Sequence, residues 1–291
     1  MGQPATRPSR VAWALVRSCH PEPTVAVTAG VTALALAAGQ SAAGAVGVAL
    51  AVLAGQLSIG WGNDWLDAAR DEQTGRTDKP VAAGEIGART VGVAALVATV
   101  AAVPLSLLFG WKAATMNLVG IGCGWAYNAW LKSTPASVLP YTVAFGCAPA
   151  FPVLGLPGSP AVPVWLVATG SLLGSGAHFA NVIPDLADDA ATGIRGLPHR
   201  LGATGSAVAA AVLLGSASAV LAFGPPGPPG LVGLAALAVV VVALGAGLWF
   251  GRRPGSRAPF RAVLVVAVID VALLLVTGAE SVWNWTASSG V

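Results

Sequence analysis

The sequence predicts an all-α, polytopic membrane protein: nine transmembrane helices around a central cavity, with the N-terminus cytoplasmic and the C-terminus outside. Three observations carry that expectation. Hydrophobic residues make up 55% of the 291 positions and charged residues only 9%, whereas soluble domains carry about 25% charged residues. Nine apolar stretches, some with their flanks, are long enough for a bilayer core of about 30 Å at 1.5 Å per helical residue. Basic residues also gather on alternate sides of those stretches. The same composition excludes a cytosolic enzyme and a disordered chain. A scattered net charge of +3 excludes a nucleic-acid binder.

Residues 1–20 read as a cytoplasmic N-terminal segment carrying Arg7, Arg10 and Arg17. The spans follow at about 22–39, 43–66, 89–110, 112–131, 136–156, 162–184, 204–223, 229–250 and 259–278. Gly-Pro runs at 156–160 and 224–230 punctuate them. The first span resembles a signal peptide in its basic flank but is expected to stay, because its removal would strand the second. With the N-terminus inside, Arg70, Arg76, Lys79 and Arg89 follow span two, and Lys132 follows span four. Arg195 and Arg200 follow span six, and Arg252, Arg253, Arg257 and Arg261 follow span eight. Only Lys112 then faces outside, as the positive-inside rule requires. Trp283 and Trp285 are expected to anchor the far interface. The 37 glycines let helices approach closely. Cys19, Cys123 and Cys147 lack metal-ligand spacing and read as small buried hydrophobes. Residues 1–291 form one membrane domain.

Nine of the 12 acidic residues fall in two segments, each beginning in an apolar span and running out to the cytoplasmic side. Asn63, Asp67 and Asp71 are spaced i, i+4, i+8, and so are Asn181, Asp185 and Asp189. That spacing places each trio on one helical face. Like charges stacked this way near bilayer depth are costly and call for compensation. Mg²⁺ takes few carboxylates and completes its shell with water and phosphate oxygens. Two such faces at one membrane level therefore suggest two metal sites clamping a diphosphate. Arg76, Lys79, Lys132, Arg195 and Arg200 flank the motifs and could contact that diphosphate or simply anchor the topology. Glu72, Asp78 and Glu85 read as solvated loop acids.

The chain resembles the UbiA superfamily of intramembrane prenyltransferases over nearly its whole length. Asn63-Asp64-x-x-Asp67-x-x-x-Asp71 matches that family's first motif, and Asp185-x-x-x-Asp189, preceded by Asn181, is similar to its second. Tyr127 to Lys132 resembles the Tyr-to-Lys motif, and Arg76-Thr77-x-x-Pro80 the stretch after motif one. The resemblance implies a central cavity open sideways to lipid, holding an isoprenyl diphosphate through Mg²⁺. It implies metal and diphosphate roles for Asn63, Asp64, Asp67, Asp71, Asn181, Asp185 and Asp189. It also implies diphosphate contacts for Arg76, Tyr127 and Lys132. Lys79 stands where many members have arginine, which removes a bidentate phosphate contact. Arg17 and His20 are candidate acceptor contacts or plain interfacial residues.

The expected reaction is Mg²⁺-dependent transfer of an isoprenyl group to a small, aromatic acceptor, with diphosphate released on the cytoplasmic side of the cell membrane. The alternative is a membrane terpene cyclase that uses the donor alone. A transporter with a midplane site fits less well, because both motifs lie at one edge. A CDP-alcohol transferase also fits poorly, because Ala68 stands where its motif needs glycine. Trp61, Trp65, Trp125, Tyr127 and Phe179 could stabilise a carbocation by about 0.5–2 kcal/mol each or serve only in packing. Asp270 and His178 lie at membrane depth, where ionisable groups are functional candidates. Asp270 could accept a proton, pair with His178, or bridge helices as a neutral carboxyl.

Overall fold

The computed structural model describes residues 7–251 and 258–288, and the regular structure among them is helical. α1 (Arg7–Ser18) is followed by α2 (Pro21–Ala37), α3 (Ala42–Gln73), α4 (Ala88–Leu107), α5 (Trp111–Ala129) and α6 (Leu139–Leu154). Then come α7 (Val164–Val182), the short α8 (Leu186–Ala191), α9 (Leu197–Phe223), α10 (Leu231–Phe250) and α11 (Ala258–Ser288). Each of the nine apolar stretches coincides with one helix. α1 and α8 are additional. Arg252, Arg253 and Arg257, and the side chains of Arg7, Asp188, Trp283 and Trp285, lie outside the described residues.

Among the described residues, six helices are long and apolar enough to cross a membrane: α3, α4, α7 with its extension to Asp185, α9, α10 and the Ala258–Val276 part of α11. α6 is apolar but only 16 residues long. α2 has 17 residues and begins with Glu22 in its first turn. Lys112, Asn117 and Asn128 dilute the hydropathy of α5.

Helix ends follow local chemistry. Ser41 caps α3 by accepting from the Gly44 N–H at 3.0 Å. From there α3 runs 32 residues without a break, carrying the first acidic motif beyond its apolar part. α7 behaves differently. It stops at Val182, and Ile183–Asp185 tightens into a 3₁₀ turn before α8 begins. Pro184 is the cause, because it lacks an N–H and its ring clashes with the carbonyl one turn back. The second acidic trio therefore spans a 3₁₀ turn rather than one continuous α-helix.

The two largest buried apolar clusters among the described residues join neighbouring helices. Val31, Val48, Val52, Ala113 and Phe151 join α2, α3, α5 and α6. Leu173, Phe179, Leu214, Val240 and Val266 join α7, α9, α10 and α11. Two glycines permit the close contacts that shape the site. A Cβ on Gly60 would stand 2.3 Å from the Cys19 carbonyl oxygen, and one on Gly196 would stand 2.5 Å from the Lys132 carbonyl oxygen. Gly60 thus seats α3 on the turn bearing His20, and Gly196 seats the loop after α8 on the turn bearing Lys132.

Candidate active site

The first acidic motif is buried and already charge-matched. Asp64, Asp67 and Asp71 are 2%, 6% and 4% exposed. Lys132, in the 3₁₀ turn Leu131–Ser133 after α5, donates to both Asp67 carboxylate oxygens at 2.5 and 2.7 Å. Arg70 adds a contact to Asp67 at 2.7 Å. Lys79, in the loop after α3, lies 2.9 Å from Asp71, 3.3 Å from Asp64 and 3.4 Å from the Asn63 side-chain oxygen. Asn63 donates to Asp67 and to Asn128, each at 3.2 Å. Burial pulls the Lys79 ammonium down, but Asp64, Asp71 and Asp67 outweigh it and hold its pKa above the ordinary lysine value. For Lys132 burial wins over Asp67, and the pKa falls below that value.

His20 completes this arrangement. Its Nε2 lies 3.1 Å from an Asp64 oxygen, and its backbone sits in the left-handed region at φ 53°. That conformation is costly for a residue with a Cβ and clusters at functional positions.

A cavity of about 440 Å³ opens beside the motif, walled by α2, α3, α5, α6 and the end of α7. Asn63, Asn128, Tyr127, His20, Asn181, Asp185 and Asp189 ring its polar end. Despite the break at Pro184, the structure brings Asn181, Asp185 and Asp189 to one wall. Asp64, Asp67 and Asp71 lie behind Asn63 rather than on that wall. The two motifs are therefore not equivalent, contrary to the symmetric pair of carboxylate faces expected from spacing. Burial raises the Asp189 carboxyl above the usual carboxylate range, and His199 Nε2 stands 3.4 Å from it.

Other predicted residues are spread more widely. Arg76 is tied to the exposed Asp78 by two bonds of 3.0 and 2.9 Å. Arg17 bonds both Glu85 oxygens at 2.8 Å and the Asp78 carbonyl at 3.0 Å. Neither arginine reaches the cavity wall. Arg195 and Arg200 are exposed and also off the wall. Their sequence neighbourhood to motif two suggested diphosphate contacts, but Arg195 in the loop before α9 and Arg200 in the first turn of α9 are both exposed. Asp270 and His178 do not pair. Asp270 accepts from Ser218 at 2.5 Å between α11 and α9, and His178 bonds Ser137 at 3.0 Å.

Among the aromatic candidates only Tyr127 lines the cavity. Trp61 donates to the Leu15 carbonyl and Trp125 to Ser58. Trp65 packs edge-on against Trp125. Phe179 belongs to the opposite core. Tyr141, Phe145, Gln56 and Asn117 line the cavity and had not been singled out. Gln56 and Asn117 carried a legible signal, because amides at membrane depth are conspicuous.

Among the described residues, no three acidic, histidine or cysteine side chains converge into a ready-made metal cage. The donors present are nonetheless hard oxygens with few carboxylates on the wall. That set fits Mg²⁺, which binds through one or two carboxylates plus water and phosphate oxygens.

The sequence profile of the UbiA prenyltransferase family matches residues 24–286. No curated protein matches by sequence. Among solved structures, one from work on the biosynthesis of digeranylgeranylglyceryl phosphate synthase in membranes superimposes with a TM-score of 0.73 at 15% identity, covering 95% of this chain and 99% of that one. An apo UbiA homologue from Aeropyrum pernix K1 gives 0.69 at 21%, covering 88% and 98%. A UbiA homologue from Archaeoglobus fulgidus bound to GPP and Mg²⁺ gives 0.67 at 16%, covering 93% and 99%.

Proposed function

Because the chain belongs to the UbiA prenyltransferase family, we propose that it transfers an isoprenyl group from a prenyl diphosphate to a small aromatic acceptor within the membrane. One observation carries this: Asn63 and Asn181, Asp185 and Asp189 meet at the polar end of a single cavity whose deeper lining is mainly apolar, with the amides of Gln56 and Asn117 among it. The donor and metal named for the Archaeoglobus fulgidus homologue support the same ligands here. The proposed topology is nine crossings, N-terminus cytoplasmic and C-terminus outside, with the site on the cytoplasmic side, supported by the distribution of basic residues.

Mg²⁺ held by Asn63, Asp64, Asp67 and Asp71 on one side, and by Asp185 and Asp189 on the other, would neutralise charge developing on the leaving diphosphate. Lys132 and Lys79 each hold a proton-bearing ammonium beside the motif and donate to diphosphate oxygens. Tyr127 and Asn181 orient the head group. The allylic C–O bond breaks with its electron pair leaving on the diphosphate oxygen. The Tyr127 and Tyr141 rings, 5.1 Å apart, offer faces to the resulting cation. The apolar walls exclude water from it. An electron-rich acceptor carbon then forms the new C–C bond and loses its proton. Arg76, Arg195 and Arg200 are assigned no contact in this scheme, because Arg76 is paired with Asp78 and the other two are exposed, whereas Lys79 and Lys132 are paired with the motif itself.

The test uses the full chain in lipid vesicles with Mg²⁺, prenyl diphosphates and candidate aromatic acceptors, measuring diphosphate and identifying products by mass. Prenylated acceptor is expected, and Asp185→Asn is expected to abolish it. A terpene formed from the donor alone would replace transfer with cyclisation. Diphosphate release from no donor would refute both.

A further inference from the structure

Resting on the prenyl-transfer reaction above, we propose that His178 is a positioning residue. Through Ser137 it locks the turn that carries Lys132 onto the helix that leads into the second acidic motif, and so holds the lysine ammonium in its place beside the diphosphate. His178 touches no substrate itself, because neither it nor Ser137 lines the cavity.

The sequence of α7 brings His178 there. Gly170, Gly174 and His178 fall at i, i+4, i+8 and are buried on one face of the helix. A Cβ on Gly170 would collide with the Phe145 carbonyl oxygen, and one on Gly174 would stand 2.6 Å from the Tyr141 carbonyl oxygen. The two glycines thus let α7 approach the backbone of α6. One turn further on, the imidazole packs against the rings of Tyr141 and Tyr127, at 4.9 and 5.7 Å. His178 is 1% exposed, and its Nε2 shares a hydrogen bond of 3.0 Å with the hydroxyl of the fully buried Ser137. Among the described residues Nδ1 has no partner. An unmatched buried ring nitrogen is costly, and an apolar ring in the same space would avoid that cost. What the imidazole supplies instead is the bond to Ser137.

Ser137 is a junction. Its Oγ also accepts the N–H of Leu197, at the start of α9, at 2.9 Å. A Cβ on Gly196 would stand 2.9 Å from the same Oγ, as well as meeting the Lys132 carbonyl oxygen. The entry to α9 therefore presses on both ends of the 132–137 turn. Hydrogen bonds remove the slack within that turn. The Thr134 N–H and hydroxyl both donate to the Leu131 carbonyl, at 3.0 and 2.9 Å, and the Ser137 N–H donates to the Thr134 carbonyl at 3.1 Å. A shift of Ser137 is passed along the turn to Lys132, whose ammonium bonds Asp67. At its other end the link is fixed to α7 three residues before Asn181, where the chain runs on to Asp185 and Asp189. The His178–Ser137 bond thus sets the separation between a cation on the first side of the site and the carboxylates on the second.

The experiment measures kcat and KM for the prenyl diphosphate in lipid vesicles, corrected for folded fraction by thermal unfolding. The variants are His178→Phe, His178→Gln and Ser137→Ala, with His178→Phe also placed in the Lys132→Met background. His178→Phe keeps a ring in the space and removes the bond. A misplacement of about 1 Å costs on the order of 10²-fold, so kcat should fall about 10- to 100-fold while KM stays within about threefold. Ser137→Ala should behave alike. His178→Gln, whose amide can still bond the Ser137 hydroxyl, should return kcat to within about threefold of wild type. In the Lys132→Met background His178→Phe should lower kcat by less than about threefold more, since no ammonium is left to position. A merely structural role would instead subtract equally in both backgrounds. A His178→Phe protein with kcat within about threefold of wild type, a loss undiminished in the Lys132→Met background, or a His178→Gln protein as slow as His178→Phe overturns the role. Turnover of no donor by wild type overturns instead the reaction on which the role rests.

Discussion

Replacing Lys132 with Met tests the link between geometry and chemistry most directly. The ammonium makes two bonds to Asp67, at 2.5 and 2.7 Å, with its side chain 11% exposed. Removing it does not leave Asp67 alone, because Arg70 remains at 2.7 Å and Asn63 at 3.2 Å. The stability cost should therefore stay near that of a lost charged hydrogen bond, about 1–3 kcal/mol. A stranded buried charge would cost about 3–5 kcal/mol. Catalysis should suffer more. A cationic donor facing the leaving group in a water-poor site is worth about 10²–10³ in kcat. The assay measures initial rates of product and diphosphate in lipid vesicles, with thermal unfolding of the same preparation to correct for folded fraction. Lys132→Arg, which keeps the charge but changes its shape, should recover part of the loss. A folded Lys132→Met protein with kcat/KM within about threefold of wild type would refute the role of this ammonium.

Three further outcomes follow from the same geometry. Chelation with EDTA should stop product formation and added Mg²⁺ should restore it, because hard oxygen donors at the polar end suit that ion; unchanged rates in EDTA would remove the metal from the reaction. Arg195→Ala and Arg200→Ala should each keep kcat/KM within about threefold of wild type, since both side chains are exposed and off the wall; a tenfold loss would return them to the site. Asp270→Asn and Asp270→Leu should likewise keep turnover within about threefold. The carboxyl is fully buried against Ser218, which also bonds the Leu214 carbonyl at 3.1 Å and so keeps a partner. Loss of turnover in folded protein would make Asp270 the proton acceptor.

The helices and one acidic motif were legible because their signals are local. Apolar length marks a span, and the i, i+4 spacing of Asn63, Asp67 and Asp71 survives because α3 is unbroken through Gln73. The same spacing at Asn181, Asp185 and Asp189 also ends on one cavity wall, although Pro184 turns the helix into a 3₁₀ segment between them. What spacing could not reveal is which charges meet across the fold. Lys132 and Asp67 are 65 residues apart, and Arg17 and Glu85 are 68. The Arg76–Asp78 pair, two residues apart, and the Asp67–Arg70 pair, three apart, were within reach of local inference.

Those pairings divide the basic residues into two groups by a simple rule. Loop acids hold Arg17 and Arg76 outside the cavity, which leaves Arg70, Lys79 and Lys132 for the first motif. The first motif's carboxylates are consequently balanced by protein cations. The second motif is not balanced in this way. Among the described residues Asp185 has no basic side chain within ion-pair distance, and Asp189 has only His199. Asp185 is exposed and Asp189 partly so, both at the polar end of the cavity, where carboxylates not matched by lysine or arginine are open to a divalent ion. The two sides proposed to hold Mg²⁺ are thus unequal: the first is already matched by protein cations that a diphosphate could draw on, and the second is not.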